Sequence, residues 1–329
     1  LNYAVANHIT VKKAALTKTT DQLNYEQAKN NKLPTVYGSA SMGLTNGSSI
    51  DPITSSFVNQ TILSNSFGVS GNITLYQGNK LNLEIEKNKI LTSQSELYQK
   101  QAENNITLSV LEAYLQALYY FEGIKIAEYT ANSSAQELKL TEVKYKNGAI
   151  AKLDLADVET QNAQNQYNVV NSKNLYNQQV LKLKQLLELD PKEDFEIEKI
   201  TLDDAYKIIP DKQEVFSKAQ EVFPDVKIYD LQNDVLSKDL EITKTGYKPT
   251  LTANAGLNSG YTNTQDYTYF NQLKNNFNKS LGLSLNIPIF FFFLNDTNVK
   301  LAKIEIEQNK LDKISAQKTL YSNIETAWQ

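Results

Sequence analysis

Cysteine and arginine are both missing from this chain, and histidine occurs once, at His8. Without cysteine there is no disulfide, no thiolate metal site and no thiol for lipid attachment; the avoidance is compatible with an oxidising envelope compartment. Without arginine all 33 basic residues are lysine, which removes the bidentate phosphate clamp. A single histidine supplies none of the usual ligand sets, so no metal and no cofactor are expected, and His8 reads as a partly buried polar residue beside Asn7. No apolar run reaches the roughly 18 residues of a membrane-spanning helix. No signal peptide is visible; the chain opens inside an apolar-periodic segment (Leu1, Val5, Ile9), as a mature or trimmed start would. Nucleophile elbow, phosphate loop and paired catalytic histidines are all absent, so no enzyme is expected. A net charge of −4, with no lysine cluster among aromatics, argues against nucleic acid as a partner.

What is present is a duplication. When Tyr76 is laid over Phe290, a shift of 214 positions (290 − 76), Ile90 falls on Ile304, Ala113 on Ala327 and Tyr114 on Trp328. Pro34 falls on Pro249 at a shift one residue longer. A period this long is too large for a solenoid and points to one architectural unit written twice. The first copy covers 1–190: a helix, strands about 35–45 and 67–76, and long helices about 80–130 and 135–189. The second covers 191–329: a helix about 212–246, strands about 250–261 and 280–290, and a helix about 298–329. Gln329 lies over Leu115, so the second copy is expected to be incomplete at its C-terminus.

The strand segments alternate with period two. Val36, Gly38, Ala40, Met42 and Leu44 share a face, as do Phe67, Val69, Gly71, Ile73 and Leu75. In the second copy Leu251, Ala253, Ala255 and Leu257 do so, then Leu281, Leu283, Leu285, Ile287 and Ile289. The opposite faces carry Ser, Thr, Asn and Gly with almost no charge. A soluble sandwich would turn its apolar face to a protein core and charge its exterior; a membrane barrel turns it to lipid and keeps a polar lumen. The pattern favours the barrel, with Val36, Met42, Val69, Ile73, Leu251, Leu257, Leu281, Leu283 and Leu285 toward the membrane. Tyr76, Phe290, Phe291, Phe292 and Phe293 stand at strand ends as interfacial aromatics. Four strands close no barrel, and an open edge in lipid has unsatisfied amides, so the strands must be shared among copies.

The rest reads as helix. Leu108, Leu111, Leu115 and Leu118 recur at three-four spacing, widened by Val110, Ala117, Phe121 and Ile124. Leu153, Ala156, Ala163, Tyr167, Val170 and Leu181 form a second, more polar seam. Gly148 is placed to reverse the chain at a hairpin tip, and Asp154 to cap or charge the start of the returning helix. The acidic pairs Asp203-Asp204 and Glu188-Asp190-Glu193-Asp194 read as caps or solvated linker residues rather than a general acid and base.

Several motifs stand in family order: Leu33-Pro34-Thr35-Val36-Tyr37, Tyr145-Lys146-Asn147-Gly148 followed by Leu153-Asp154-Leu155, and Leu285-Asn286-Ile287-Pro288-Ile289-Phe290. Between them Thr201 to Pro249 carries Asp203-Asp204-Ala205 and Phe223-Pro224-Asp225. Together they resemble the TolC-type outer-membrane factors, exit ducts of tripartite efflux pumps and type I secretion systems. The resemblance implies a homotrimer in the outer membrane of a Gram-negative bacterium, with a large periplasmic part. Each protomer would give four strands to one twelve-stranded barrel, continued by a periplasmic α-helical barrel. It implies that Asn147, Gly148, Ala149 and Ile150 dock a periplasmic adaptor, that an inner-membrane transporter is an indirect partner, and that Asp154 helps latch the entrance. The competing reading is a non-conducting trimeric coiled-coil spacer or fibre. The exported substrate leaves no mark in the sequence.

Overall fold

Period-two segments need ladder partners, and here they find each other. The structure, a computed structural model, describes residues 1–193, 195–198, 211–290 and 292–328. Strands β1 (Thr35–Ile50), β2 (Phe57–Gln77), β3 (Thr250–Thr262) and β4 (Asn278–Asn286) form one antiparallel sheet in the order β1-β2-β3-β4. The helices are α1 (Asn2–Asn7), α2 (Ile9–Asn30), α3 (Lys80–Lys146), α4 (Lys152–Leu186), α5 (Lys212–Val222), α6 (Pro224–Lys244), α7 (Tyr269–Asn275) and α8 (Phe292–Trp328). None of the described helices is long and apolar enough to cross a membrane.

The chain divides into two compact units, Leu1–Lys18 with Glu96–Ala219, and Thr19–Ser95 with Gln220–Gln329. In the first, Ala4, Val11, Ile106, Val110, Ala113 and Leu183 form the core, closed by Tyr114, Phe195 and Ile197. The stripe on α3 is split. Val110 and Ala117 are buried, whereas Leu108, Leu111 and Leu115 stay exposed. Small side chains let α4 approach, and the seam there is polar: Ser134 Oγ donates to Asn162 Oδ1 at 3.1 Å, and Gln179 Nε2 to the Ala113 carbonyl at 3.2 Å. In the second unit α6 packs on α8. Asn309 Nδ2 donates to the Tyr229 carbonyl, and Lys87 pairs with Asp239 at 2.6 Å.

Several boundaries differ from the sequence expectation, each for a local reason. The helix expected to end near 130 runs on to Lys146, and its successor starts at Lys152 rather than 135. No proline or glycine lies between Gly123 and Gly148, and Ala131 and Ser134 are buried where the break was expected. The helix expected over 212–246 is two, because Pro224 lacks the N–H that would continue α5 and suits the first turn of α6. β1 and β2 reach well beyond 45 and below 67, pairing out to Ile50 and Phe57. That stretch is mostly Asn, Ser, Thr and Gln, and its apolar residues come as adjacent pairs, Phe57-Val58 and Ile62-Leu63, so no period-two alternation announces the ladder. β4 stops at Asn286 because Pro288 can donate no ladder bond, so Ile287 and Ile289 lie beyond the strand.

Candidate functional site

The register decides which side chains share a face. Val36 lies opposite Gly71, Ala40 opposite Phe67 and Leu44 opposite Leu63. Val69 lies opposite Leu257, and Ile73 opposite Ala253. Leu251 lies opposite Leu285, Ala253 opposite Leu283 and Ala255 opposite Leu281. All nine positions expected to face the membrane therefore stand on one face of one sheet. Among the described residues nothing covers that face at Met42, 73% exposed, or at Leu281, 84% exposed. Opposite faces carry Ser39, Ser41, Ser66, Ser70, Asn254, Asn258 and Ser284, with Ser41 and Ser66 hydroxyls 2.7 Å apart. A β-bulge between Thr74 and Tyr76 takes Leu75 out of the alternation and sets Tyr76 opposite Leu251, on the apolar face.

At the loop end of this face polar residues interrupt the apolar ones. Beyond Leu44 and Leu63 come Asn46 and Thr61, joined by a 3.2 Å side-chain bond. Lys279 stands opposite Leu257, its Nζ 5.5 Å from the centre of the Phe277 ring. Tyr261 and Tyr269 pack with tilted rings, centroids 4.9 Å apart, on the loop side, and Phe270 is exposed. On the helix side Tyr76, Phe290 and Phe293 are exposed. Phe291 lies outside the described residues, as does the Phe292 side chain, although Phe292 opens α8.

Sequence reasoning missed a lock between the two hairpin loops. Asp51 is wholly buried where β1 turns into β2. Its Oδ1 accepts the Ile53 and Thr54 N–H groups at 2.9 Å, and its Oδ2 accepts the hydroxyls of Thr262 (3.0 Å) and Thr264 from the β3–α7 loop. Burial alone would raise the carboxyl pKa. The Thr264 hydroxyl, the Thr54 and Ile53 N–H groups and the Thr262 hydroxyl outweigh it and bring it from 3.8 down to about 2. Gln272, also wholly buried, donates to the Thr262 carbonyl and accepts the Thr262 N–H, both at 2.9 Å. Asp51-Pro52 was a visible turn signal; the partner 211 residues away was not.

In the other unit, α3 ends in a Schellman turn. Gly148 N–H donates to the Tyr145 carbonyl and Ala149 N–H to the Lys144 carbonyl, both at 2.9 Å. Gly148 has φ +72°, and a Cβ there would meet nothing within 4 Å, so the constraint is backbone handedness. Asn147, Gly148 and Ala149 are exposed and Ile150 is half-buried. Asp154 Oδ2 accepts the Ala151 N–H at 3.0 Å, capping α4. At the other end of α4 the same turn recurs with Glu188 at φ +55°. Its carboxylate accepts the Ile9 N–H at 3.1 Å, and His8 Nδ1 accepts the Thr10 N–H. Asp190 holds the Lys192 N–H at 2.8 Å. Of the remaining acidic residues, Asp194, Asp203 and Asp204 lie outside the described residues.

The same arrangement recurs in solved structures. The Campylobacter jejuni CmeC outer membrane channel matches with a TM-score of 0.79 at 16% identity, over 96% of this chain and 66% of its own. VceC, an outer membrane protein of Vibrio cholerae, matches at 0.78 and 13% identity, over 97% and 74%. The Neisseria gonorrhoeae MtrE outer membrane channel matches at 0.75 and 15% identity, over 97% and 69%. Those likenesses fix the fold, and this chain spans about two thirds to three quarters of their lengths. No curated protein matches the chain in sequence. A sequence model described as outer membrane efflux protein matches residues 1–188, more than half of the chain, and the chain belongs to that family.

Proposed function

We propose that the chain is one protomer of a homotrimeric outer-membrane duct, a passive conduit for export. The observation that carries this reading is the open sheet. β1 and β4 are its edges, each with one row of backbone groups unpaired within the protomer, and the apolar face between them is bare. In lipid such edges must find partners, and antiparallel β4 and β1 of successive copies supply them. Three copies of four strands give a twelve-stranded barrel, with Ser, Thr and Asn toward a wet lumen and Val36, Met42, Val69, Ile73, Leu251, Leu257, Leu281, Leu283 and Leu285 toward lipid. The α4 seam supports the same assembly. Leu153, Ala156, Ala163, Tyr167, Val170 and Leu181 are all at least partly exposed and fit a neighbouring helix from another copy.

In this reading the two sequence copies, 1–190 and 191–329, each give one hairpin to the barrel. Its helices extend into the periplasm. Asn147, Gly148, Ala149 and Ile150 dock a periplasmic adaptor, through which an inner-membrane transporter supplies energy and selects cargo. Asp154 spends one oxygen on its cap and keeps Oδ1 for an entrance latch. Tyr76, Phe290 and Phe293 sit in the membrane interface. Planar-bilayer recording tests the conduit: discrete current steps are expected from a reconstituted trimer. A folded, inserted trimer that passes no current under any voltage would favour a non-conducting spacer instead.

A further inference from the structure

The corner where β2 hands over to α3 combines a lysine-rich rim with bare apolar surface. Gly78 (φ +60°) and Asn79 (φ +74°) turn the chain sharply after the bulge at Leu75. The corner is concave, and Lys32, Leu75, Tyr76, Asn79, Lys80 and Leu81 are among the residues that line it. Lys248 closes its back: the lysine stem packs where a Cβ on Gly78 would sit, 2.7 Å away, and Nζ donates to the Gly78 carbonyl at 3.4 Å. Along 27–34, 74–82 and 244–250, three of the four segments entering and leaving this end of the sheet, every charged residue is lysine: Lys29, Lys32, Lys80, Lys244 and Lys248. Among the described residues, only Lys80 of these has a carboxylate partner, Glu84 at 3.6 Å. The opposite end of the sheet is mixed, with Asp51 and Asp266 beside Lys274 and Lys279.

We infer that this corner seats the phosphate headgroup of a phospholipid. Lys32 and Lys80 meet the phosphate. The acyl chains run past Leu33, Leu75 and Tyr76, which are 62%, 53% and 46% exposed, toward Val36 on the apolar face. A free anion satisfies the lysines but leaves these side chains in water, whereas a two-chain amphiphile covers both. The bulge then has a purpose, because it lifts Leu75 out of the ladder at the level where a chain would leave its headgroup.

The inference rests on the membrane reading above, and one set of samples separates the two. The full chain is purified in neutral detergent, and binding of dioleoylphosphatidylglycerol is followed by native mass spectrometry; insertion into phosphatidylethanolamine–phosphatidylglycerol vesicles is scored in parallel. Each lysine near a headgroup is worth about fivefold in affinity, so Lys32→Gln with Lys80→Gln should weaken lipid binding about 25-fold. Insertion should persist, and Lys32→Arg with Lys80→Arg should keep both. Glycerol 1-phosphate, the same phosphate without chains, should bind at least tenfold more weakly than the lipid. Lipid affinity within twofold of the parent in the inserted Gln variant overturns the site. So does glycerol 1-phosphate binding as tightly as the lipid, which assigns the corner to a free anion. Failure of parent and variants alike to insert counts against the membrane reading itself, and with it the inference.

Discussion

At the scale of single residues, backbone handedness at Gly148 and the buried carboxylate of Asp51 are what substitutions can probe. Gly148 is held at φ +72° by two Schellman bonds with open space around it. Gly148→Ala should therefore cost only the left-handed strain, about 1 kcal/mol, and leave export intact. Gly148→Glu carries the same strain and adds bulk and charge where the adaptor would dock, so efflux should fall while the trimer survives. Drug susceptibility paired with adaptor cross-linking at Lys146 and Lys152 reads this out; normal efflux and undiminished cross-linking in the Glu variant would remove the docking role. Asp51 makes a prediction in pH. Its folded pKa of about 2 lies below the ordinary carboxylate value, so its stabilisation is full above about pH 4 and is lost as pH falls through about 2. Asp51→Asn should lower stability at neutral pH by about 2 kcal/mol and flatten the acid limb of the melting profile. An unchanged limb would mean that the carboxylate does not tie the loops together.

Strands and helices put the sharpest demand on the face assignment. Leu283 and Ser284 are neighbours on β4, opposite Ala253 and Thr252 and so on opposite faces. A lysine at Leu283 enters lipid at a cost of about 2–4 kcal/mol near mid-bilayer, and one at Ser284 enters the lumen. Leu283→Lys should impair membrane assembly and Ser284→Lys should not; equal yields of inserted trimer from both would reverse or void the assignment. This face was legible in the sequence because period two survives wherever one side is apolar, as from Val36 to Leu44. It was illegible from Asn46 to Ser49, where both sides are polar or glycine, and at Leu75, where one extra residue shifts the parity. Gly148 was likewise readable as a turn, but nothing in the heptads told that α3 would bury Val110 and Ala117 and leave Leu108, Leu111 and Leu115 outside. The Asp51 lock depends on Thr262 and Thr264, and contacts that distant in the chain have no local signature.

For the whole molecule, one claim is central: the sheet is open in the protomer and closed in the assembly. β1 and β4 are its two edges, and β4 of one copy must run antiparallel to β1 of the next. The absence of cysteine gives an empty background for testing this. Thr35→Cys at the start of β1 and Asn286→Cys at the end of β4 stand at the helix-side ends of the two edge strands. The measurement is the mass of the covalent product formed by a short bis-maleimide in vesicle-embedded protein carrying both cysteines. A closed ring of three predicts a ladder ending at a covalent trimer, with neither substitution alone giving any product. Inserted, folded protein that yields only monomer, or products that continue past the trimer, would contradict the shared barrel.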